Sequence, residues 1–362
     1  MAFVPGPAGG NVVSESPVTV WNGGRPTIVV TSIFKPEAPM LELARGAATA
    51  GYRLFVIGDL NTPPDFNLPN GEFYDLDRQK KSGLRFAEIC PTRHYARKNI
   101  GYLLALRAGA SLILETDDDN FPRAHFWRTR RPDHNGPVVR EAGWVNVYKY
   151  FTDAFIWPRG FPLDSIHENP PALTSSAGTV ACPIQQGLAD GNPDVDAIYR
   201  LTLLLPQTFR QDVSVALGSG SWCPFNSQNT AWWSEAFPLL YLPAHCSFRV
   251  TDIWRSFVAQ RIAWANDWNI LFHGPDVTQQ RNPHNLLRDF EDEIPCYLQN
   301  RAICQALANL ELDRGSDRTA NNLRRCYQAL VERGWLPDAE LTLLDAWLED
   351  LRLIAESGQT AP

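Results

Sequence analysis

Long apolar runs and targeting signals are both missing from this sequence of 362 residues. No window approaches 18 consecutive apolar residues, so we expect no membrane span. The N-terminus has neither the charged nor the apolar region of a signal peptide. The chain therefore has the pattern of a globular protein without a membrane anchor.

Cysteine is sparse and scattered: the seven cysteines form no C-x-x-C pair, and their number is odd. The sequence also contains no Asn-x-Ser/Thr acceptor for N-linked glycans. This pattern is typical of reduced, mostly buried thiols, and it predicts a cytoplasmic protein.

Positive charge is not in excess either. The formal net charge of -7 excludes a general affinity for nucleic acid or for anionic membranes. An anionic substrate would therefore need a local basic cluster or a bound metal ion. The hydrophobic fraction of 44% is ample for a core, and the length suits one large domain with an appendage.

Strands and helices alternate along the first 120 residues, which predicts an α/β fold with a mostly parallel sheet flanked by helices. We predict strands over 27–32, 52–59 and 111–116, helices over 37–50 and 95–108, and C-terminal helices over 302–312, 318–333 and 338–356. The predicted organisation is a loosely ordered arm (1–25), a main domain (26–295, divided at 125/126) and a C-terminal helical appendage (296–362).

Three consecutive aspartates, Asp117, Asp118 and Asp119, directly follow the predicted strand over 111–116. Open α/β sheets bind ligands at the carboxyl ends of their strands, and adjacent carboxylates repel one another unless a cation holds them. Hard divalent cations prefer such oxygen ligands. A solvated loop or a helix N-terminus would produce the same pattern.

Further polar residues occur at strand ends and at the start of a helix. Thr31 and Ser32 end the first predicted strand, and Asp59 ends the second, where its carboxylate could bind a ribose or a base edge. Arg97 and Lys98, followed by Asn99, open the helix before the aspartates. Either cation could neutralise a phosphate; a solvated first helical turn is the alternative.

The second half of the chain adds candidates for sugar binding and catalysis. Asp194 and Asp196 could orient sugar hydroxyls, although an Asp at a helix N-terminus is equally ordinary. Asp252 could be a general base or could orient the acceptor, with Trp254 in the aromatic-rich acceptor region. His273 is the candidate for a third metal ligand, and His284 competes for the same role.

These motifs together resemble the STELLO family of glycosyltransferase-like proteins. The resemblance rests on the segment 95–102, the run Glu115-Thr116-Asp117-Asp118-Asp119-Asn120, the segments 186–188 and 193–201, and Asp252-Ile253-Trp254-Arg255. The match spans about residues 27 to 275. More distantly, the chain is similar to the reversibly glycosylated polypeptides, which are plant sugar-nucleotide mutases.

The resemblance implies a GT-A fold, in which a Rossmann-like sheet binds a nucleotide sugar and a D-x-D motif holds Mn²⁺ or Mg²⁺. If the family's motif applies to this sequence, Asp117 and Asp119 bind the metal, and Arg97, Lys98 and Asn99 flank the donor. Plant STELLO proteins are Golgi membrane proteins with an anchor and a second region, and we expect neither here.

The sequence thus predicts a metal-dependent glycosyltransferase that moves a sugar from a UDP- or GDP-linked donor to the hydroxyl of a glycan or another acceptor. Asp252 would deprotonate that hydroxyl if the enzyme inverts configuration, and Asp118 would lie away from the metal or toward the ribose. A sugar-nucleotide mutase and a non-catalytic GT-A scaffold that binds a partner are the alternatives.

Overall fold

A computed structural model describes residues 24–175, 178–282 and 284–359. Almost all of the predicted N-terminal arm lies outside these residues. The described chain forms fifteen β-strands, which are short except for two long strands near the middle of the main sheet. They are β1 (Thr27–Thr31), β2 (Arg53–Ile57), β3 (Glu72–Tyr74), β4 (Leu112–Thr116), β5 (Asn120–Pro122), β6 (Asp133–His134), β7 (Pro137–Val139), β8 (Gly143–Trp144), β9 (Thr174–Ser175), β10 (Val180–Ala181), β11 (Ile184–Gly191), β12 (Ser214–Leu217), β13 (Ser221–Trp222), β14 (Asn229–Trp233) and β15 (Ile270–Gln279).

Eleven of these strands form one sheet in the order β3-β2-β1-β4-β14-β11-β15-β12-β7-β9, with β5 paired to β15. The first four strands of this order are mutually parallel. The chain runs from β1 outward to β2 and β3, and then returns to place β4 on the other side of β1. The order of the strands therefore reverses between β1 and β4, and such a switch point leaves a crevice at the carboxyl ends of the strands.

Within the described ranges, ten α-helices cover the sheet and form the C-terminal part. They are α1 (Ala38–Ala50), α2 (Leu76–Lys80), α3 (Arg85–Ile89), α4 (Lys98–Arg107), α5 (Tyr148–Phe151), α6 (Ala197–Thr202), α7 (Thr251–Ala265), α8 (Leu286–Ala308), α9 (Thr319–Glu332) and α10 (Ala339–Gln359). The predicted α/β class, with a sheet flanked by helices and a helical C-terminal part, is confirmed.

Helix α1 shows how local sequence sets these boundaries. Pro39 lies in its first turn, where the missing N–H costs nothing. Gly51 ends the helix in the left-handed conformation, with φ of 75°, which a residue without a Cβ adopts without strain. Met40, Leu43, Ala44 and Ala47 are buried on one face, as their spacing predicts.

In the chain, α8 follows β15 and leads into the other C-terminal helices, α9 and α10. Helix α8 runs for 23 residues with Pro295 inside it, and the predicted boundary between residues 295 and 296 lies within it. All seven cysteines carry free thiols, and six of them are buried, as their scattered pattern predicts. Among the described residues, no helix is long and apolar enough to cross a membrane.

Candidate functional site

A cavity of about 500 Å³ lies at the carboxyl ends of β1, β2 and β4. This volume is within the usual range for sites that bind small molecules and cofactors. Nine of the fourteen predicted site residues line the cavity: Thr31, Ser32, Asp59, Arg97, Asp117, Asp118, Asp119, Asp194 and Asp252. The fold thus brings together segments separated by more than a hundred residues.

Asp117, the first carboxylate after β4, forms an ion pair with the buried Lys98. Its Oδ1 accepts a hydrogen bond of 3.0 Å from the Tyr95 hydroxyl, and the Lys98 ammonium lies 3.4 Å away. Burial and the neighbouring Asp119 raise the pKa of Asp117 to about 7, although Lys98 acts in the opposite direction. A carboxylate in this position has a strong electrostatic preference for additional positive charge.

The other two aspartates are each tied to a different strand end. Asp118 Oδ2 accepts a 2.6 Å hydrogen bond from Ser32 Oγ, which fixes it across the β1–β4 switch point. Burial and Asp119 raise the pKa of Asp118 to about 6. Asp119 accepts from Gln279 Nε2 at 3.1 and 3.3 Å and from the backbone N–H of Asn282 at 3.4 Å. The three aspartate side chains therefore have different hydrogen-bond partners: Tyr95 and Lys98 for Asp117, Ser32 for Asp118, and Gln279 and Asn282 for Asp119.

The two predicted phosphate-binding cations are both occupied within the protein. Lys98 is fully buried beneath the cavity and donates to Thr116 O at 2.9 Å and to Ser227 O at 3.1 Å. Arg97 lines the cavity, but its three guanidinium nitrogens donate to Gln79 Oε1 and to the backbone carbonyls of residues 90 and 91. Both cations therefore stabilise the protein itself through internal hydrogen bonds.

Asn99 and Asp59 support loops next to the cavity. The Asn99 side chain exchanges two hydrogen bonds with the backbone of Leu242, and it is completely buried away from the cavity. Asp59 lines the cavity, and its carboxylate accepts from the backbone N–H groups of Leu60 and His94 at 2.6 and 3.0 Å. Each carboxylate oxygen of Asp59 can accept a further hydrogen bond.

Asp194 and Asp252 meet at a shared arginine, Arg159. Its Nε and Nη2 donate to the two oxygens of Asp194 at 2.8 and 2.9 Å, and Nη2 also lies 3.0 Å from both oxygens of Asp252. Asp252 Oδ2 accepts in addition from the backbone N–H and the hydroxyl of Ser227, at 3.1 and 3.2 Å. Although burial acts against it, this cation keeps the pKa of Asp194 below its usual value.

Besides Lys98 and Asn99, three predicted residues do not line the cavity: Asp196, Trp254 and His273. Asp196 caps helix α6 by accepting from the backbone N–H of Tyr199 at 2.7 Å, and it also accepts from the Trp157 indole. The Trp254 indole donates to Asn300 Oδ1 at 2.9 Å inside the core. The geometry gives both residues structural contacts.

His273, the predicted third metal ligand, is also outside the cavity. It lies in the middle of β15, six residues before Gln279, and burial lowers its pKa to about 4. His284 does line the cavity, with Nδ1 3.4 Å from Asp289 Oδ1. Within the described ranges, no three His, Cys, Asp or Glu side chains form a group that could hold a metal ion.

Several residues of the cavity were not predicted from the sequence. Arg159, Ser227, Arg249 and Arg281 all line it. Arg159 and Ser227 occur in irregular segments without periodicity, so only the fold reveals their position. Arg281, however, follows the end of β15. A position at a strand end was the signal used for the other candidates, and the same signal could have identified Arg281.

The C-terminal part of the chain matches a family model. Residues 249–357 match the model of the STELLO glycosyltransferases. This segment contains Asp252, Arg281 and His284, and it continues through α8 into α10. The family match therefore covers one wall of the cavity and the helical region behind it.

Two curated proteins are similar to nearly the whole chain. "Probable glycosyltransferase STELLO2" from Arabidopsis thaliana is 29% identical over 346 residues, which is 90% of this chain and 44% of that protein. "Probable glycosyltransferase STELLO1" from the same plant is 29% identical over 343 residues, or 89% of this chain and 44% of that protein. The chain thus spans less than half the length of these relatives. The resemblance predicted from the motifs is confirmed: the chain is similar to the STELLO-type glycosyltransferases over nearly all of its length.

Proposed function

We propose that this protein is a metal-dependent glycosyltransferase of GT-A type that transfers a sugar from a UDP- or GDP-linked donor to an acceptor hydroxyl. One observation carries the proposal: three aspartates after β4 and the polar end of β1 line a single cavity at the switch point of the sheet. Nucleotides bind to doubly wound α/β sheets at this position. The family of the chain is consistent with sugar transfer.

In this proposal, Asp117 and Asp119 would supply two carboxylates to Mn²⁺ or Mg²⁺, and water and substrate phosphates would complete the coordination. Asp117 and Asp119 offer carboxylate oxygens on one wall, and Lys98 is the only described cation that contacts either of them. A site with two carboxylates suits Mg²⁺, which is commonly bound by one or two carboxylates together with water and substrate phosphates. Of the two candidate histidines, His284 lines the cavity and His273 does not. When bound, the ion would supply charge stabilisation to the departing diphosphate.

Arg281 is the cation we assign to the donor diphosphate. Its Nη2 donates to Asp289 at 2.7 Å, whereas its buried Nε has no hydrogen-bond partner within the described chain. Arg281 lies one residue before Asn282, whose backbone N–H contacts Asp119. A guanidinium with unused donors beside the carboxylates can bind phosphate oxygens, which Lys98 and Arg97 cannot do without breaking their internal hydrogen bonds.

Asp252 is the residue we assign to the acceptor hydroxyl. Arg159 and Ser227 hold its carboxylate in one orientation, and among the described residues Arg159 alone donates to Oδ1. This oxygen can accept the proton of an acceptor hydroxyl that reaches the cavity. Asp194 orients Arg159 from the other side and is therefore a positioning residue in this scheme.

The proposal is tested by thermal stability in the presence of Mn²⁺ and UDP or GDP, singly and together. We expect the largest rise in melting temperature when ion and nucleotide are combined, and we expect Asp117→Asn to abolish it. Asp133→Asn is the matched control, because the Asp133 side chain lies outside the cavity and forms a surface ion pair with Arg131. No shift with either nucleotide would favour the scaffold alternative.

Hydrolysis of a panel of nucleotide sugars then identifies the donor. We expect slow release of the nucleotide from one donor, acceleration by an acceptor, and loss of the accelerated rate in Asp252→Asn. Isomerisation of the donor without any acceptor would instead identify a sugar-nucleotide mutase.

A further inference from the structure

The side-chain amide of Gln228 is buried, yet the described chain offers it no hydrogen-bond partner. Only 6% of this residue is exposed, and it lines the cavity. Among the described residues, no group donates to its amide oxygen or accepts from its amide nitrogen. Buried polar side chains are hydrogen-bonded in nearly all native structures, because water no longer satisfies them. The amide of Gln228 is therefore available to a ligand in the cavity.

The other buried glutamines show the contrast. The amide nitrogens of four of them donate to backbone carbonyl oxygens: Gln79, Gln185, Gln186 and Gln260. Gln279, a further glutamine of the cavity wall, donates to Asp119 at 3.1 and 3.3 Å. In each of these cases the protein itself uses the amide, and Gln228 differs from them.

The backbone of Gln228 is fixed on both sides. Its N–H donates to Asn226 Oδ1 at 3.0 Å, and its carbonyl oxygen accepts from Asn120 Nδ2 at 2.8 Å. Gln228 directly precedes β14, whose first residue, Asn229, pairs with Thr116 at the end of β4. A ligand would thus meet the amide on an ordered segment, without the entropic cost of ordering a loop.

Gln228 lies between the two carboxylates to which the proposed function gives the reaction partners. The antiparallel register of β4 and β14 places it beside Asp117 at the strand ends. On its other side, Ser227 donates to Asp252 from its backbone N–H and its hydroxyl, at 3.1 and 3.2 Å. Asp117, Gln228 and Asp252 all line the same cavity. A sugar that passes from the diphosphate near Asp117 to an acceptor near Asp252 therefore lies next to Gln228.

A primary amide is chemically suited to the hydroxyl groups of a sugar. The amide oxygen accepts and the amide nitrogen carries two donors, whereas each hydroxyl both donates and accepts. Two neighbouring hydroxyls of a sugar ring can therefore bond to the two ends of one amide. A diphosphate is a poorer match, because it offers acceptors only and is bound more strongly by a cation such as Arg281.

We propose that Gln228 binds hydroxyl groups of the transferred sugar and so contributes to the choice of the donor sugar. The inference rests on the proposed function, which assigns the carboxylates on either side of the amide. The ligand class is a nucleoside diphosphate sugar with free ring hydroxyls. A site that hydrogen-bonds a hydroxyl discriminates against a sugar that lacks it, because the buried polar group is then left unpaired.

Isothermal titration in the presence of Mn²⁺ tests the inference by comparing a nucleotide with its sugar-bearing form. The probes are UDP, GDP, UDP-glucose, UDP-galactose, UDP-xylose and GDP-mannose, and the nucleotide sugar that binds the wild type most tightly is used. Gln228→Met removes the amide at nearly constant volume. We expect it to weaken binding of that nucleotide sugar about threefold to tenfold, the effect of losing one neutral hydrogen bond. The affinity for the nucleotide alone should not change.

Gln328→Met is the matched control, because Gln328 lies on α9 outside the cavity and its amide donates to Glu332. It should change neither affinity. Gln228→Leu is a second apolar variant and should show the same selective loss, which would separate the missing amide from a packing defect peculiar to methionine.

The possible outcomes distinguish this inference from the proposed function. A wild-type chain that binds neither nucleotides nor nucleotide sugars would refute the proposed function itself. Normal nucleotide binding, together with unchanged affinity of Gln228→Met for the nucleotide sugar, would overturn the role of Gln228 alone. Equal losses for the nucleotide and the nucleotide sugar would also overturn it, because the amide would then act on the ion or the diphosphate.

Discussion

Arg255 donates two parallel hydrogen bonds to Glu115 inside the core, from Nη1 to Oε2 and from Nη2 to Oε1, each of 2.8 Å. Both side chains are at most 1% exposed. Glu115 lies two residues before Asp117 on β4, and Arg255 lies one helical turn after Asp252 on α7. This ion pair therefore sets the separation between the carboxylates proposed to bind the metal and the carboxylate proposed to act on the acceptor.

We predict that Glu115→Gln destabilises the fold by about 3 kcal/mol or more. Removing one partner of a buried pair leaves the other charge uncompensated in a medium of low polarity. The loss would be aggravated here, because Tyr102 and Trp232 also donate to the Glu115 carboxylate. Urea denaturation followed by circular dichroism measures the change.

The control for this prediction is Glu349→Gln, which breaks the exposed ion pair with Arg85. Exposed pairs contribute less than about 1 kcal/mol. Equal destabilisation by the two substitutions would contradict a special structural role for the buried pair.

Substitution of Asp194 should chiefly lower activity, whereas substitution of Asp196 should chiefly lower stability. Asp194→Ala frees Arg159 and should lower transfer to the acceptor at least about tenfold, the effect of losing a charge-assisted hydrogen bond. Asp196→Ala removes the cap of α6 and should cost about 1 kcal/mol of stability with little change in transfer. Initial rates and urea midpoints of both variants check this, and the reverse pattern would contradict the assignment.

The parallel half of the sheet was predictable because its signal is local. The first three predicted strands agree with β1, β2 and β4 to within two residues at each end. Each is a short run of β-branched and apolar residues closed by a polar turn, and this pattern does not depend on distant contacts. The polar residues that follow these strands consequently reached the cavity as predicted.

The position of His273 was harder to predict because β15 does not end where its apolar run ends. Gly274 and Pro275 resemble a strand terminator, but β15 continues through them to Gln279. An irregularity in the pairing with β11 absorbs the extra residues. His273 is therefore mid-strand, and the polar strand end that contacts Asp119 is Gln279.

The first half of α8 was missed for a related reason. Its inward residues are charged, its outward residues are apolar, and Pro295 lies inside it. The periodicity of apolar residues assigns the apolar face of a helix to the core, and here that face is the exposed one. The arginines that pair with Asp289 and Glu293 come from other parts of the chain, so their presence could not be inferred from this segment.

The pH dependence of stability should include a contribution from His245. Its Nδ1 lies 2.8 Å from the buried carboxylate of Glu340 in α10, and this hydrogen bond raises the pKa of His245 above its usual 6.5. A histidine whose pKa is raised in the folded state stabilises the fold fully below pH 6.5, and the contribution disappears as pH rises through the raised pKa.

We therefore predict that His245→Gln is less stable than wild type in mildly acidic solution and nearly equal to it in alkaline solution. Because His245 is partly exposed, the difference should stay below about 1 kcal/mol. Urea midpoints measured on both sides of the transition test the sign. A difference that grows with rising pH would contradict the role of this pair.

Substitution of Lys98 should act chiefly on stability, whereas substitution of Arg281 should also weaken nucleotide binding. Lys98→Met removes a buried ammonium from the carbonyls of Thr116 and Ser227, so we expect a loss of stability of a few kcal/mol, the cost of unsatisfied buried polar groups. Arg281→Gln should cost some stability, because it breaks the mostly buried ion pair with Asp289, and it should also weaken nucleotide diphosphate binding about tenfold or more, because a charged donor is lost. Isothermal titration with UDP or GDP and Mn²⁺ measures the second effect.

Arg288→Gln is the control for Arg281→Gln, since Arg288 is an exposed arginine on α8 that does not line the cavity. Unchanged nucleotide affinity in Arg281→Gln would refute its assignment to the diphosphate.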